Sequence, residues 1–137
     1  VDRTPPAVPV GLTARAVACG QIDLSWGPAT DTGGSGLRGY NLYRGGTFLR
    51  QVPAPSTVAS ASGLTPLTTY SCTVTAVDQA GNESAPSAPA SATTPACPNV
   101  PPVASAGPDQ FTQTLTPLTF SALASLDPDG TIVAYAW

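Results

Sequence analysis

Eight carboxylates and no histidine limit the chemistry open to this chain of 137 residues. The commonest general base and transition-metal ligand is therefore missing, and its many serines cannot join a Ser-His-Asp triad. The acids are Asp2, Asp23, Asp31, Asp78, Glu83, Asp109, Asp127 and Asp129. Glycoside hydrolysis needs two of them facing each other across a cleft. Most fall instead in turn-forming stretches, where Asp bonds its own backbone. Asp127-Pro128-Asp129-Gly130 places two carboxylates one residue apart before a glycine, an oxygen-rich turn of the kind calcium favours. The further ligands of an EF-hand are missing, so the alternative is a tight turn capped by Asp side chains. Gly33-Gly34-Ser35-Gly36 has no Lys-Ser/Thr after it and opens no helix, which makes it a loop and not a phosphate cradle.

The elements that hold these groups alternate with a period of two. Ile22, Leu24 and Trp26 face one way, and Gln21, Asp23 and Ser25 the other. The same alternation predicts strands over 11–17, 21–26, 37–44, 47–52, 58–62, 69–77 and 87–94, with no helical periodicity. Gly45-Gly46 marks a hairpin. Tyr70, Cys72, Val74 and Ala76 share the inward face of the sixth strand, and Tyr70 stands where its hydroxyl can bond back to the turn carrying Leu64 and Pro66, a tyrosine corner. Trp26, Tyr40, Leu42, Leu64, Tyr70, Cys72 and Val74 are the expected core. Tyr43 lies on the opposite face of its strand from Tyr40 and is the candidate surface aromatic, suited to stacking on a sugar. Asn82-Glu83-Ser84 has the pattern of a glycosylation sequon.

Composition agrees with short strands and many turns: 16 Pro, 13 Gly, and only 9% charged residues against about a quarter in ordinary domains. Five arginines, no lysine and a net charge of -3 leave no basic patch for nucleic acid. No apolar run is long enough to span a membrane. Nothing at Val1 reads as a signal peptide, so the chain is expected to be mature or excised from something longer. The three cysteines form no CxxC pair, which excludes a zinc ribbon. Cys19 follows the first strand, Cys97 follows the last, and Cys72 is inward. Pairing Cys19 with Cys97 and leaving Cys72 reduced is preferred, with Cys19–Cys72 as the rival. Either bond points to an oxidising, extracellular or cell-surface setting.

Residues 5–95 resemble a bacterial extracellular fibronectin type III domain. The matching pieces are Pro5-Pro6 with Pro9, Ile22-Asp23-Leu24-Ser25-Trp26, Gly39-Tyr40-Asn41-Leu42-Tyr43-Arg44, Gly63-Leu64-Thr65-Pro66 with Thr68 and Tyr70, and Ala76-Val77-Asp78-Gln79-Ala80-Gly81-Asn82-Glu83-Ser84. The resemblance implies an all-β, immunoglobulin-like sandwich over residues 1–97, including its Pro-rich lead-in. It also implies that the loops bearing Asp31 and Asp78 meet at one pole with Asn82 nearby, a second candidate calcium site. After a stiff linker at 98–102, residues 103–137 are similar to the first half of a PKD domain. That likeness rests on Ala106-Gly107-Pro108-Asp109 and on Asp127-Pro128-Asp129-Gly130 before Tyr135 and Trp137, with an apolar-rich strand expected over Leu118–Ala124 between them. Such a half sandwich leaves an apolar face and an unpaired edge. The chain continuing beyond it, packing on the first domain, and strand addition from a neighbouring molecule all answer that problem.

These features point to a non-catalytic spacer or adhesion segment of a secreted or surface-attached bacterial protein. Its partners would be other domains of the same polypeptide and a polysaccharide or protein matrix. One alternative is a fibre subunit self-associating through the unpaired strands of 103–137. Another is an accessory carbohydrate-binding module. No cofactor is required, and calcium is the one ion the residues suggest.

Overall fold

The computed structural model describes residues 2–107 and 121–135. It separates into two compact units, Val1–Cys97 and Pro98–Trp137.

The first unit is built from seven strands: β1 (Thr13–Ala18), β2 (Gln21–Ser25), β3 (Leu37–Arg44), β4 (Thr47–Pro53), β5 (Val58–Ala61), β6 (Thr69–Asp78) and β7 (Ala90–Thr93). They form two antiparallel sheets, ordered β1-β2-β5 and β4-β3-β6-β7. The register sets Leu24 against Ala59 in one sheet, and Tyr40 against Ala76 and Leu42 against Val74 in the other. The inward residues therefore meet between the layers. Ile22, Leu24, Trp26, Tyr40, Leu42, Val52, Leu64, Cys72, Val74 and Ala76 are buried, and each large one contributes about 1.5–3 kcal/mol by leaving water. The rings of Trp26 and Tyr40 meet edge to face at 5.4 Å. Tyr70 is half-buried against this core. Its hydroxyl accepts the Thr65 N–H at 2.9 Å, and Arg44 lies 5.4 Å above its ring.

Local chemistry sets the strand ends. Gly45 and Gly46 both take positive φ (55° and 81°), the backbone a two-residue hairpin needs. The second strand runs to Ser25, and the Trp26 N–H carries its register with β5 one bond further, to the Thr57 carbonyl (3.0 Å). The closing strand covers only Ala90–Thr93, shorter than the alternation over 87–94 predicts. Pro86 and Pro89 have no N–H to give a ladder, and the chain before β7 is held to β6 by serines. Ser84 and Ser87 each donate the backbone N–H to a β6 carbonyl (Ala76 and Val74, 2.9 Å each) while the hydroxyl accepts the same residue's N–H (2.9 and 3.1 Å). Cys19 and Cys97 are disulfide-bonded across 78 residues, and Cys72 is a buried free thiol.

In the second unit, a single bridge pairs Val103 with Leu126 among the described residues. The strand expected over Leu118–Ala124 is corrected where it is described. Residues 121–124 turn instead, with the Ser125 N–H on the Ala122 carbonyl (2.9 Å), and Leu123 is almost fully exposed. Pro108, Asp109, residues 118–120 and Trp137 lie outside the described residues.

Candidate functional site

Two regions of the first unit concentrate polar chemistry. The first is a carboxylate cluster at one pole. Asp2, Asp31 and Asp78 each offer an oxygen within 4.8 Å of the others. Asp31 caps the glycine-rich loop, accepting the N–H groups of Gly33 (2.9 Å) and Gly36 (2.7 Å). Asp78, at the end of β6, is fully buried and accepts the backbone N–H (2.8 Å) and side-chain amide (2.7 Å) of Asn82. Asp2 reaches in from the Pro-rich lead-in. It accepts from the N–H groups of Thr4 (2.9 Å) and Ser35 (3.1 Å) and packs so closely on Gly33 that a Cβ there would collide with its carboxylate.

Burial opposes ionisation of Asp78, but hydrogen bonds from Asn82 and Ser35 outweigh it, and the pKa falls below the ordinary carboxylate value. Asp2 is held down by the Ser35 hydrogen bond first, then by Thr4. Asp2 and Asp78 therefore favour the charged form at neutral pH. Asp31 and Asp78 were legible as loop acids. Asp2 was not, because only tertiary docking of the lead-in brings it there. Asp127 and Asp129 stand differently. Asp129 accepts the Val100 N–H (2.8 Å), Asp127 accepts the Asp129 N–H (3.4 Å), and no third carboxylate joins them among the described residues.

The second region is the outer face of the four-stranded sheet. Asn41 lies opposite Gln51 and Thr75, and Tyr43 opposite Phe48 and Thr73. Cross-strand partners share a face. Glu83 sits at the rim, its carboxylate accepting from the Tyr43 hydroxyl (2.7 Å), the Asn41 amide (3.0 Å) and the Thr75 hydroxyl. Burial raises its pKa, yet Thr75, Tyr43 and Asn41 together pull it below the ordinary value. Tyr43 is raised in return, chiefly by its bond to Glu83. Tyr43 is half-buried with its hydroxyl engaged, so Phe48, 53% exposed and edge-on to it at 5.8 Å, is the freer ring. Sequence alternation named only Tyr43, because a bulge between Leu42 and Tyr43 resets which β4 residue stands beside it.

The comparisons agree with this architecture. The model of the fibronectin type III domain matches residues 5–93. Exoglucanase B of Cellulomonas fimi is 48% identical over 93 residues, covering 68% of this chain and 8% of that protein. Chitinase Chi52 of Paenibacillus xylanexedens is 43% identical over 93 residues, 68% of this chain and 17% of that protein. Chitinase A1 of Niallia circulans is 36% identical over 133 residues, 95% of this chain and 18% of that protein. The chain thus spans under a fifth of each of these relatives. Among solved structures, a set of titin domains superposes with a TM-score of 0.57 at 26% identity, covering 67% of this chain and 33% of that one. By its matched sequence and its two-sheet fold, the chain belongs to the fibronectin type III domain family.

Proposed function

We propose that the chain is a non-catalytic segment of a larger secreted bacterial protein acting on polysaccharide, with the type III unit holding neighbouring domains at a set distance. The observation that carries this reading is that closely similar stretches occur as small parts of bacterial glucanases and chitinases. The disulfide supports an extracellular setting.

Both ends of the unit are tied down, which suits a spacer. The lead-in is held by Asp2 and by the Ala7 N–H on the Thr30 carbonyl (2.8 Å), and the Val10 carbonyl accepts the Gly27 N–H (2.7 Å). Cys97 fixes the exit to Cys19. A chain so tethered transmits position, whereas a flexible tether would not. Hydrogen exchange tests this. The Ala7 and Gly27 amides should exchange at least about tenfold more slowly than free peptide. Exchange at the free-peptide rate would make the lead-in a loose tether and remove the spacer mechanism. Incubation with cellulose or chitin should release no reducing sugar. Release abolished by one Asp or Glu substitution would make the chain an enzyme.

Calcium at Asp2, Asp31 and Asp78 is a second proposal, favoured by the convergence of three carboxylate oxygens. A calcium shell takes six to eight oxygens, so water and backbone carbonyls would complete it. Millimolar calcium should then raise Tm by a few degrees, and chelation should reverse the gain. An unchanged Tm in wild type leaves the cluster as a hydrogen-bonded clasp only.

A further inference from the structure

We propose that the outer face of the β4-β3-β6-β7 sheet binds a neutral, extended polysaccharide, with Phe48 as its stacking platform. The proposal deepens the polysaccharide reading above by naming a surface and a ligand chemistry, and it does not depend on the spacer role.

The face is built from hydrogen-bonding groups around an apolar ring, with the Glu83 carboxylate at its rim. Phe48 stands at the start of β4, its ring 5.8 Å from the Tyr43 ring in a T-shaped pair at 72°. Tyr43 is fixed by its hydroxyl on Glu83, so Phe48 packs on a support that does not swing away. A shallow depression of about 350 Å³ lies beside this pair, lined by Tyr43, Gly46, Thr73, Thr75, Glu83 and Pro86. Asn41 and Gln51 extend the polar row, joined by a 3.0 Å bond from the Gln51 amide to the Asn41 carbonyl oxygen.

The charge pattern selects the occupant. Glu83 is the only acid lining this depression, and its carboxylate is taken up by three donors of its own chain. The nearest arginines are turned to other work. Arg44 lies over Tyr70 on the opposite side of the sheet, and Arg50 reaches the Ser60 carbonyl on β5 at 3.0 Å. An anionic polymer would meet no arginine in the lining of this depression, and a basic peptide would meet a carboxylate already satisfied. A neutral sugar chain fits both conditions. Its axial C–H face can rest on an exposed aromatic ring, and its hydroxyls can exchange hydrogen bonds with Thr, Asn and Gln. An exposed large aromatic on an otherwise polar sheet is the kind of patch that marks a binding surface.

The test uses the full 137-residue chain and measures depletion onto microcrystalline cellulose and colloidal chitin, with polygalacturonate gel as the anionic comparison. Wild type should bind at least one neutral polymer and not the anionic one. Phe48→Ala should lower that affinity about tenfold, with Tm within about 2 °C of wild type because the ring is exposed. Val58→Ala, on the other sheet, should bind as wild type does. Failure of wild type to bind either neutral polymer would overturn the proposal, as would undiminished binding by Phe48→Ala or equal retention on polygalacturonate. So would sedimentation showing a dimer that Phe48→Ala dissociates, since a second copy would then cover the face. None of these failures touches the amide-exchange result on which the spacer reading stands.

Discussion

Burial pushes the Asp78 pKa up, yet hydrogen bonds hold it below the ordinary carboxylate value. Its charge survives because Asn82 presents a backbone and a side-chain N–H to the two oxygens, and the same loop returns to β6 four residues later. Asp78, Asp2 and Glu83 all have folded-state pKa values below the ordinary range. A depressed carboxylate stabilises the fold fully above its unfolded value, near 4, and loses that contribution as pH falls through its lower folded value. The urea midpoint should therefore hold steady from about pH 7 to 5 and decline between about pH 4 and 2. Asp78→Asn should lower the midpoint at pH 7 and flatten the acid decline. A variant with the wild-type acid slope would show that Asp78 does not carry the effect. At this scale the sequence spoke unevenly. Loop acids such as Asp31 and Asp78 can be picked out because Asp marks turns. Asp2, and the choice of Phe48 over Tyr43 as the free ring, depend on docking and on a bulge that leave no periodic trace.

Elements were the most readable level, because a period of two is imposed by the pleat itself. The seven strands of the first unit follow the alternation, and the deviations have local causes. The closing segment is held to β6 by Ser84 and Ser87, whose hydroxyls stand in for ladder partners, and a serine's hydrogen bonds are not written in its spacing. Apolar content alone suggests a strand over Leu118–Ala124, whereas its described part enters a turn. Gly39 shows how tightly the ladder is set. It faces Pro53 across β3 and β4, and a Cβ added there would run into the Val52 carbonyl oxygen. That neighbour is backbone and cannot rotate away. Gly39→Ala should cost about 1–3 kcal/mol, read by urea denaturation, and should increase exchange of the β4 amides. A stability within 0.5 kcal/mol of wild type, roughly the scatter of neutral surface changes, would mean that β4 shifts outward freely at its edge.

At the scale of the whole unit, the Cys19–Cys97 bond closes a chain that its sheets alone leave open at the exit. Cys97 lies beyond β7, after Thr94, whose N–H bonds the Thr68 carbonyl (3.0 Å) and whose hydroxyl donates to the Thr65 carbonyl (2.7 Å). The disulfide therefore extends a hydrogen-bonded turn and does not replace the core. Loop-closure entropy for 78 residues corresponds to about 4.5 kcal/mol, with measured bonds spanning about 2–5 kcal/mol. The double variant Cys19→Ala, Cys97→Ala should stay folded, since the two-sheet core is intact, while losing free energy of unfolding in that range. Its Ala7 amide should remain protected, because the lead-in is clasped at Asp2 by contacts the disulfide does not share. If the variant were unfolded at neutral pH, the core would be too weak to hold the sandwich unaided. If Ala7 lost its protection while the β3 and β6 amides kept theirs, the two ends would be coupled. The unit would then behave as one tensioned clasp and not as two independent ties.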